Sequence, residues 1–544
     1  MGKVIWERIM KSGETPVLIV GAGLAGLTAA LLLAWRGVPS LLVERRASTS
    51  RHPRARGVNI RSMEMLRVVS GLEDELYAAS RGHLVIVEAE TVCGPPRKVI
   101  VPPGGFDLGA LTPASMATAG QDVVEPILLR RARNLGADVR FSTELVRFSQ
   151  DGRGVRAVLR NAKGEEEAAI ADYLVAADGN RSAIRQALSI ATKGPGAFSQ
   201  NLSILFESDF VPPQGERPYL CHLRNADFAG VFTSTDDPRI SQVAFEYDPK
   251  TQSPADSDDE RCGEIIRSAL GVKDVAVKIR DVMPWEMSSR LAATMASGRV
   301  FLAGDAAHTM PPTGGLGGQT AIQDAADLAW KLALVLQGRA SPALLETYHA
   351  ERHPVAAMTV ARQTASYVER MRPDRKDLAD PNAELDYLSA AIGYVYRSAG
   401  VSGETPDDGA KAVSPLKARG RPGTRLPHVP LICGNRAIST LDLIGRDFVL
   451  LAAPGARSWV AAARLLRERA GAPLEVYCID HDAIDAKALF LERTGVENDG
   501  AILVRPDGFI AWRARSGAGE SVNALAEALS RALCRKLDLK ERAA

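Results

Sequence analysis

A glycine-rich turn set between two apolar strands constrains this chain more than any other feature. Val17–Val20 is a short apolar run that stops at Gly21, Leu27–Trp35 reads as a helix closed by Gly37, and Ser40–Val43 is a second strand ending at Glu44. The unit spans about 30 residues, the length that a parallel β-α-β crossover needs. Its turn, Gly21-Ala-Gly23-Leu24-Ala25-Gly26, fits GxGxxG. The first glycine permits a tight turn, the second lets backbone approach a pyrophosphate, and the third lets helix pack close to strand. The helix N-terminus then presents its partial positive charge to phosphate. Glu44 follows Gly23 by about twenty residues, where an acid binds ribose hydroxyls and disfavours a 2′-phosphate. The expectation is a dinucleotide at this turn, FAD or NAD rather than NADP.

The stretch Pro16–Trp35 is uncharged for 20 residues, long enough to span a bilayer. Its glycines argue instead for strand, turn and buried helix. The N-terminus lacks the basic-then-apolar order of a signal peptide, so a soluble, cytoplasmic protein is expected. Six scattered cysteines form no CxxC pair, which gives neither a disulfide framework nor zinc spacing. Lys and Arg total 67 against 65 Asp and Glu. That balance speaks against a dedicated nucleic-acid or anionic-membrane binder.

Helical patterns recur at Ile60–Val69 and Val123–Asn134, and strand-like alternation at Val139–Phe148, Gly154–Arg160 and Ala168–Val175. From Ser203 to about Lys278, strand-like runs alternate with polar turns, as in an antiparallel module, and Pro249–Glu260 reads as an exposed loop. Arg299–Ala303 returns to a buried strand, Thr320–Leu336 to an amphipathic helix, and Ala343–Glu369 to further helix. Gly400–Pro427, rich in Pro, Gly and charge, is the linker candidate. Beyond it, Phe448–Ala452, Trp459–Arg469, Leu474–Ile479, a hairpin about Pro506-Asp507-Gly508 and Val522–Lys536 follow in an order that resembles a thioredoxin-like fold. Without a CxxC, redox work there is not expected. The expected division is 1–200 and 286–400 for a nucleotide-binding domain in two parts, 201–285 for a β-rich substrate domain, 401–427 for the linker and 428–544 for the C-terminal domain.

Two further acid–glycine pairs end apolar runs: Asp178-Gly179, followed by Asn180-Arg181-Ser-Ala-Ile-Arg185, and Gly304-Asp305, followed by Ala306-Ala-His308. Taken singly, each is a turn at a strand end. In this order, GAGLAG, AADGNRSAIR and GRVFLAGDAAHTMPPTGGLGGQTAIQDAADLAWKLA resemble the single-component FAD monooxygenases, the flavoprotein aromatic hydroxylases. The similarity is strongest to the hydroxylases of aromatic polyketide biosynthesis. It implies a mixed α/β chain: a three-layer FAD-binding domain, a β-rich substrate domain and a thioredoxin-like C-terminal domain.

The resemblance assigns roles by position. Asp305, after Gly304, would bind the ribityl chain, and Pro312 would line the reaction side of the flavin ring. Gly314, Gly315, Gly317 and Gly318 would let the ring lie against backbone. The helix beginning near Gly318-Gln319 would aim N–H groups at the negative edge of reduced flavin. Gln319 stands where many relatives have Asn, which leaves its side chain's role open. Asp178 belongs to a motif tied to both FAD and NADPH. Arg45 and Arg46 follow Glu44 near the adenosine, while Arg54 and Gln121 match positions near the FAD phosphates and ribityl. Tyr219 and Arg370 are the candidates for assisting chemistry: a proton relay, and a charge that lowers a phenol pKa. Their alternatives are a packed tyrosine and a solvated arginine. His308 reads as structural, and Phe206, Phe228, Phe232 and Phe245 as pocket lining or ordinary core.

The implied reaction is hydroxylation of a polycyclic aromatic polyketide with O2 and NADPH (NADH possible) through a C4a-hydroperoxyflavin, with no metal. Baeyer–Villiger oxidation or epoxidation on the same scaffold stays open, as does a flavoprotein that binds its ligand without turnover. A monomer or homodimer without nucleic-acid or membrane partners is expected.

Overall fold

Strand Glu14–Val20 forms because its side chains need cover on both faces; Val17, Leu18 and Ile19 are fully buried. Such a strand belongs inside a parallel sheet. It pairs in parallel with Ser40–Val43 on one side and Glu166–Ala176 on the other. Asp138–Arg140 and Val300–Leu302 extend the parallel run. The hairpin of Glu144–Gln150 and Val155–Arg160 folds antiparallel onto Glu166–Ala176. Over this sheet the crossover helix Leu24–Trp35 packs against helices Gln121–Asn134 and Gly317–Leu336. All of Leu24–Leu33 is buried, which accounts for the uncharged stretch. No helix among the described residues is long and apolar enough to cross a membrane. The computed structural model describes residues 13–213, 219–225, 229–250, 258–383, 386–404, 407–517 and 521–537. The expectations for the first twelve residues, for Phe228 and for most of the Pro249–Glu260 loop lie outside these.

A second sheet, also of 8 strands, runs in the order His308–Thr309, Lys278–Ala292, Thr192–Glu207, Ile240–Tyr247, Ala229–Ser234, Tyr219–Arg224, Val85–Ala89 and Lys98–Val101. Its membership departs from the expected 201–285 block. Val85–Val101 comes from inside the first expected domain, because Tyr219–Arg224 would otherwise be an open edge and pairs in parallel with Val85–Ala89. At the other end, Arg290 and Leu291 pair with Thr309 and His308. The loop after Gly304 is thereby an edge strand of the substrate sheet. Helix Asp259–Leu270 covers one face, burying Cys262, Ile266, Ala269 and Leu270 against Ile204, Phe206, Tyr219, Cys221 and Phe232.

The C-terminal module has strand order Leu474–Cys478, Phe448–Ala452, Ala501–Val504, Ile510–Ala514. One parallel pair, one antiparallel hairpin and the helices Arg457–Ala470 and Ser521–Ala532 make the thioredoxin-like arrangement. The stretch expected as a linker is irregular but fastened. Leu426 is fully buried, Arg425 pairs with buried Glu64, and the Gly423 and Leu426 N–H groups donate to Ile510 and Gly508 carbonyls at 2.8 Å each.

The expected amphipathic helix is instead buried from Gln319 to Leu334 on every side. Its charges face inward: Asp324, Asp327 and Lys331 recur at helical spacing, so they form one stripe. Lys331 Nζ donates to Asp327 and Glu351 at 2.7 Å each. Arg505, in the hairpin turn of the C-terminal module, reaches Glu351, Asp327 and Asp507. Burial alone would raise the Glu351 carboxyl, but Arg505 and Lys331 overcome it and hold it low. Trp330 and Tyr396 flank the Arg505 guanidinium at 5.1 and 5.2 Å. Removing one partner of such a buried set leaves an uncompensated charge. Arg505→Ala is expected to cost about 3–5 kcal/mol in a denaturant titration of the holoprotein. Arg467→Ala, which breaks an exposed pair with Glu475, should cost less than about 1 kcal/mol.

Candidate active site

Three sequence motifs converge on the first turn of the crossover helix. Gly21 has φ +105°, and a Cβ there would collide with the Ala177 carbonyl just before Asp178. A Cβ on Gly26 would strike the Gly21 carbonyl. Gly23, by contrast, has only Glu125 Oε1 near its Cβ position, at 3.9 Å. No side chain caps the helix that Gly23 opens. Close-packed first and third glycines with an open second one are what an approaching pyrophosphate needs. Leu24 and Ala25 carry the contact onward: added Cβ atoms on Gly318 and Gly304 would lie 3.0 Å from Leu24 Cδ1 and 3.2 Å from Ala25 Cβ.

Glu44 is aimed by its own backbone. Its two oxygens accept from Ala22 N and Arg46 N at 2.9 Å each, which holds the carboxylate beside the glycine turn with lone pairs to spare for ribose. Arg45 is exposed beside it. Gln121 begins helix Gln121–Asn134 and donates to Glu125 at 2.6 Å, while Glu125 also accepts from Ser50 N at 2.9 Å. Burial raises the Glu125 carboxyl. Glu125 had no motif to announce it; only the fold brings it beneath Gly23. Arg54 lies close enough for its charge to act on Asp305 and Glu125.

Asp178 accepts from Ser182 Oγ at 2.6 Å and Ile184 N at 3.1 Å, which caps the short helix after it. Arg185 is buried and donates to the Ala306 carbonyl at 2.8 Å, tying this motif to the Asp305 loop; Arg181 is exposed. Asp305 is open to solvent, yet the protein surrounding it raises its carboxyl against the opposing charges of His308 and Arg54. Pro312 and Gly315 are exposed in the same loop, and nothing lies within 4 Å of a Cβ built on Gly315. Gly314 has φ +101°, and its Cβ position is closed by Gln363 and Arg362 of helix Glu346–Arg370. Gly317 and Gly318 open helix Gly317–Leu336 with no side-chain cap. The Gln319 side chain is fully used: its Nε2 donates to Gly57 O at 2.8 Å, and its Oε1 accepts from Asn59 N at 2.9 Å. It clamps the segment after Arg54 to the helix and leaves only backbone to face a ligand.

His308 donates to or accepts from Asp324 at 2.7 Å, and Asp324 also accepts from Gly304 N at 3.1 Å and Arg352 Nε at 2.9 Å. His308 is therefore held as part of the loop's support. The acid group Asp327, Glu351 and Asp507 lies close enough to share a cation, but Lys331 and Arg505 already supply the positive charge.

Tyr219 requires a correction. With Cys221 and Phe232 it lies on the sheet face under helix Asp259–Leu270, and it is 3% exposed. Burial raises its phenol, with Cys221 beside it. Phe206 lies in the same core, and Phe245 packs against it. Side chains alternate across a strand, so the face turned to the other side carries His222, not Tyr219. His222 is buried, its Nδ1 has no partner, and burial together with the Arg370 charge lowers its pKa to about 4. Arg370, half-buried at the end of helix Glu346–Arg370, is near enough for its charge to act on His222. Gln363, one flank of the flavin-loop glycine, also keeps its Nε2 unpartnered. His222 was missed in the sequence; strand parity read outward from Cys221 is the signal that would have found it.

The residues present fit FAD: a pyrophosphate turn, a ribose acid, a second acid at the middle of the cleft and an uncapped helix end beyond it. Comparison with known proteins agrees. An FAD binding domain model matches residues 14–363, and an aromatic-ring hydroxylase C-terminal model matches 419–535. Aklavinone 12-hydroxylase of Streptomyces purpurascens is 40% identical over 541 residues, covering 97% of this chain and 100% of the relative. The 4-methyl-5-nitrocatechol 5-monooxygenase of a Burkholderia species is 40% identical over 547 residues, covering 96% and 98%. The crystal structure of an aklavinone-11 hydroxylase with FAD and aklavinone superposes with a TM-score of 0.91 at 40% identity, covering 97% of this chain and 100% of that one. The chain belongs to the FAD-dependent aromatic-ring hydroxylases and is a flavoprotein monooxygenase.

Two substitutions separate cofactor binding from core packing. Asp305→Ala is expected to yield protein without bound FAD, read from the flavin absorbance of the purified sample. Tyr219→Phe, which removes one buried hydroxyl, should keep FAD and leave turnover within about two-fold, with a stability loss near 1 kcal/mol. A large fall in turnover with FAD retained would return Tyr219 to the site.

Proposed function

We propose that this monooxygenase hydroxylates a polycyclic phenol of the aromatic polyketide type, drawing electrons from NADPH and one oxygen atom from O2. End-to-end identity with the aklavinone 12-hydroxylase carries the substrate class. Bound FAD supplies the oxygen-activating chemistry that no side chain can provide. The chain's own residues set the conditions. The uncapped end of helix Gly317–Leu336 favours negative charge beside it. Arg370 favours the phenolate form of a substrate hydroxyl, the form that reacts with an electrophilic oxygen. His222, neutral at working pH, accepts a hydrogen bond through its free Nδ1 and orients the same ring edge. The substrate sheet on one side and helix Glu346–Arg370 on the other keep water from the reacting centre.

Equal identity to the nitrocatechol monooxygenase favours a second reading, in which the substrate is a small substituted catechol. Product mass decides between them. Purified protein is given NADPH, labelled O2 and a panel of polycyclic phenols, catechols and ketones. One labelled oxygen on a polycyclic aromatic carbon is the expected outcome. Label only on a catechol selects the second reading, and oxygen inserted beside a ketone replaces hydroxylation with Baeyer–Villiger chemistry. Arg370→Gln should retain FAD and lower the hydroxylation rate by about ten-fold or more; the loss should shrink at high pH, where the substrate ionises unaided. His222→Gln should raise KM more than it lowers kcat, the signature of lost orientation rather than lost proton transfer.

A further inference from the structure

Beside the flavin cleft lies a cavity of about 630 Å³ whose charged lining is Arg51, Arg81, Arg239, Asp122, Asp236 and Asp237. Two of its carboxylates are committed. Asp236 accepts from Arg56 Nη2 at 2.9 Å and Gly120 N at 2.7 Å. Asp237 accepts from the Arg239 backbone N–H at 3.0 Å and from its guanidinium at 3.3 Å. Asp122 is disfavoured as an anion by burial, with Asp236 adding to the effect, and its Oδ1 has no partner. Arg51 and Arg81 have no hydrogen-bond or ion-pair partner among the described residues. Arg81 acts on Asp237 through its charge alone, so both guanidinium groups keep their N–H donors free in a hollow large enough for a nucleotide, which describes a site for a ligand with more than one anionic group.

The position of the hollow narrows the ligand. Pro53 lines it, and the next residue is Arg54, whose charge acts on Asp305. Leu205, from the substrate sheet, lines it as well. The hollow therefore sits where the two sheets meet at the flavin cleft. Among the described residues the glycine turn at Gly21–Gly26 is the one dinucleotide fingerprint, and FAD takes it. A second dinucleotide must find its phosphate partners elsewhere.

We propose that this cavity receives the phosphate groups of the reduced nicotinamide dinucleotide, with Arg51 and Arg81 as their counter-charges. The proposal rests on the NADPH-dependent reading above. Both arginines are exposed and unbonded, so replacing them leaves the core intact.

The test is anaerobic reduction of the FAD-loaded enzyme, followed by loss of flavin absorbance over a range of NADPH and NADH concentrations. Wild type, Arg51→Ala, Arg81→Ala and Arg51→Lys are compared, each checked for FAD content. Binding of 2′-phospho-ADP-ribose, which has the phosphates but no nicotinamide, is measured by competition. Each alanine variant is expected to raise the apparent Kd for NADPH by about ten-fold, with the limiting reduction rate unchanged. Arg51→Lys should recover part of the loss, and the nicotinamide-free probe should weaken in step. Unchanged Kd in both alanine variants, with the wild type reduced normally, overturns the proposal alone. Loss of FAD from the variants also overturns it, because the arginines would then serve the flavin. A wild-type flavin that neither nucleotide reduces overturns the NADPH-dependent reading and the proposal together.

Discussion

A carboxylate with no exposed surface has to be met by positive charge or by N–H donors, and helix Gly317–Leu336 carries two such groups a turn apart. Asp324 is satisfied locally, by Gly304 N, His308 and Arg352. Asp327 is satisfied by Lys331 one turn along the same helix and by Arg505 from the far module. Taking these charges out of water is expensive, and their mutual attraction offsets the cost only when every partner is in place. The two aspartates therefore make the positions of the flavin loop, helix Glu346–Arg370 and the C-terminal hairpin depend on one another. The C-terminal module is thereby part of the support of the loop after Gly304.

The same helix explains how one scaffold serves cofactor and substrate together. Its first turn closes the flavin loop, its middle is held by the ion pairs, and Trp330 and Leu334 enter the core of the C-terminal module. The loop in front of it runs as an edge strand of the substrate sheet through His308 and Thr309. Shifting that sheet would shift the flavin loop with it. The substrate sheet and the loop after Gly304 are thereby fixed relative to each other.

Much of the cofactor site was legible along the chain, because local geometry enforces it. Gly26 is a glycine because a Cβ would strike the Gly21 carbonyl five residues away, and Gly21 because its own φ of +105° favours glycine, although the carbonyl that closes its Cβ position comes from Ala177. Glu44 is placed by the strand it ends, and the two acid–glycine pairs sit at strand ends as their flanking apolar runs require. The thioredoxin-like order was readable for the same reason. What escaped was non-local. A turn such as Pro506-Asp507-Gly508 announces a hairpin but not that Arg505 before it is buried in another domain. Helix Gly317–Leu336 has polar residues in an amphipathic pattern, and pattern alone cannot tell a solvated stripe from an ion-paired one. Val85–Val101 joins a sheet more than a hundred residues away in sequence, and nothing within the hairpin marks that partner.

The sequence by itself determined the glycine-rich turn between two strands, the acid that ends the second of them, the glycine-rich loop after Asp305 and the α/β class. Each is marked by its near neighbours, the apolar runs and glycine spacings that flank it. Only the tertiary structure decided which face of Tyr219–Arg224 is covered by a helix. A strand offers its two faces equally until helix Asp259–Leu270 claims one of them, and that claim buried Tyr219 and left His222 on the opposite face. It also decided that the Gly400–Pro427 segment is a fastened seam rather than a linker. Leu426 and Arg425 find their burial and their carboxylate only when both domains are present, because a buried charge is stable only where its partner has been delivered.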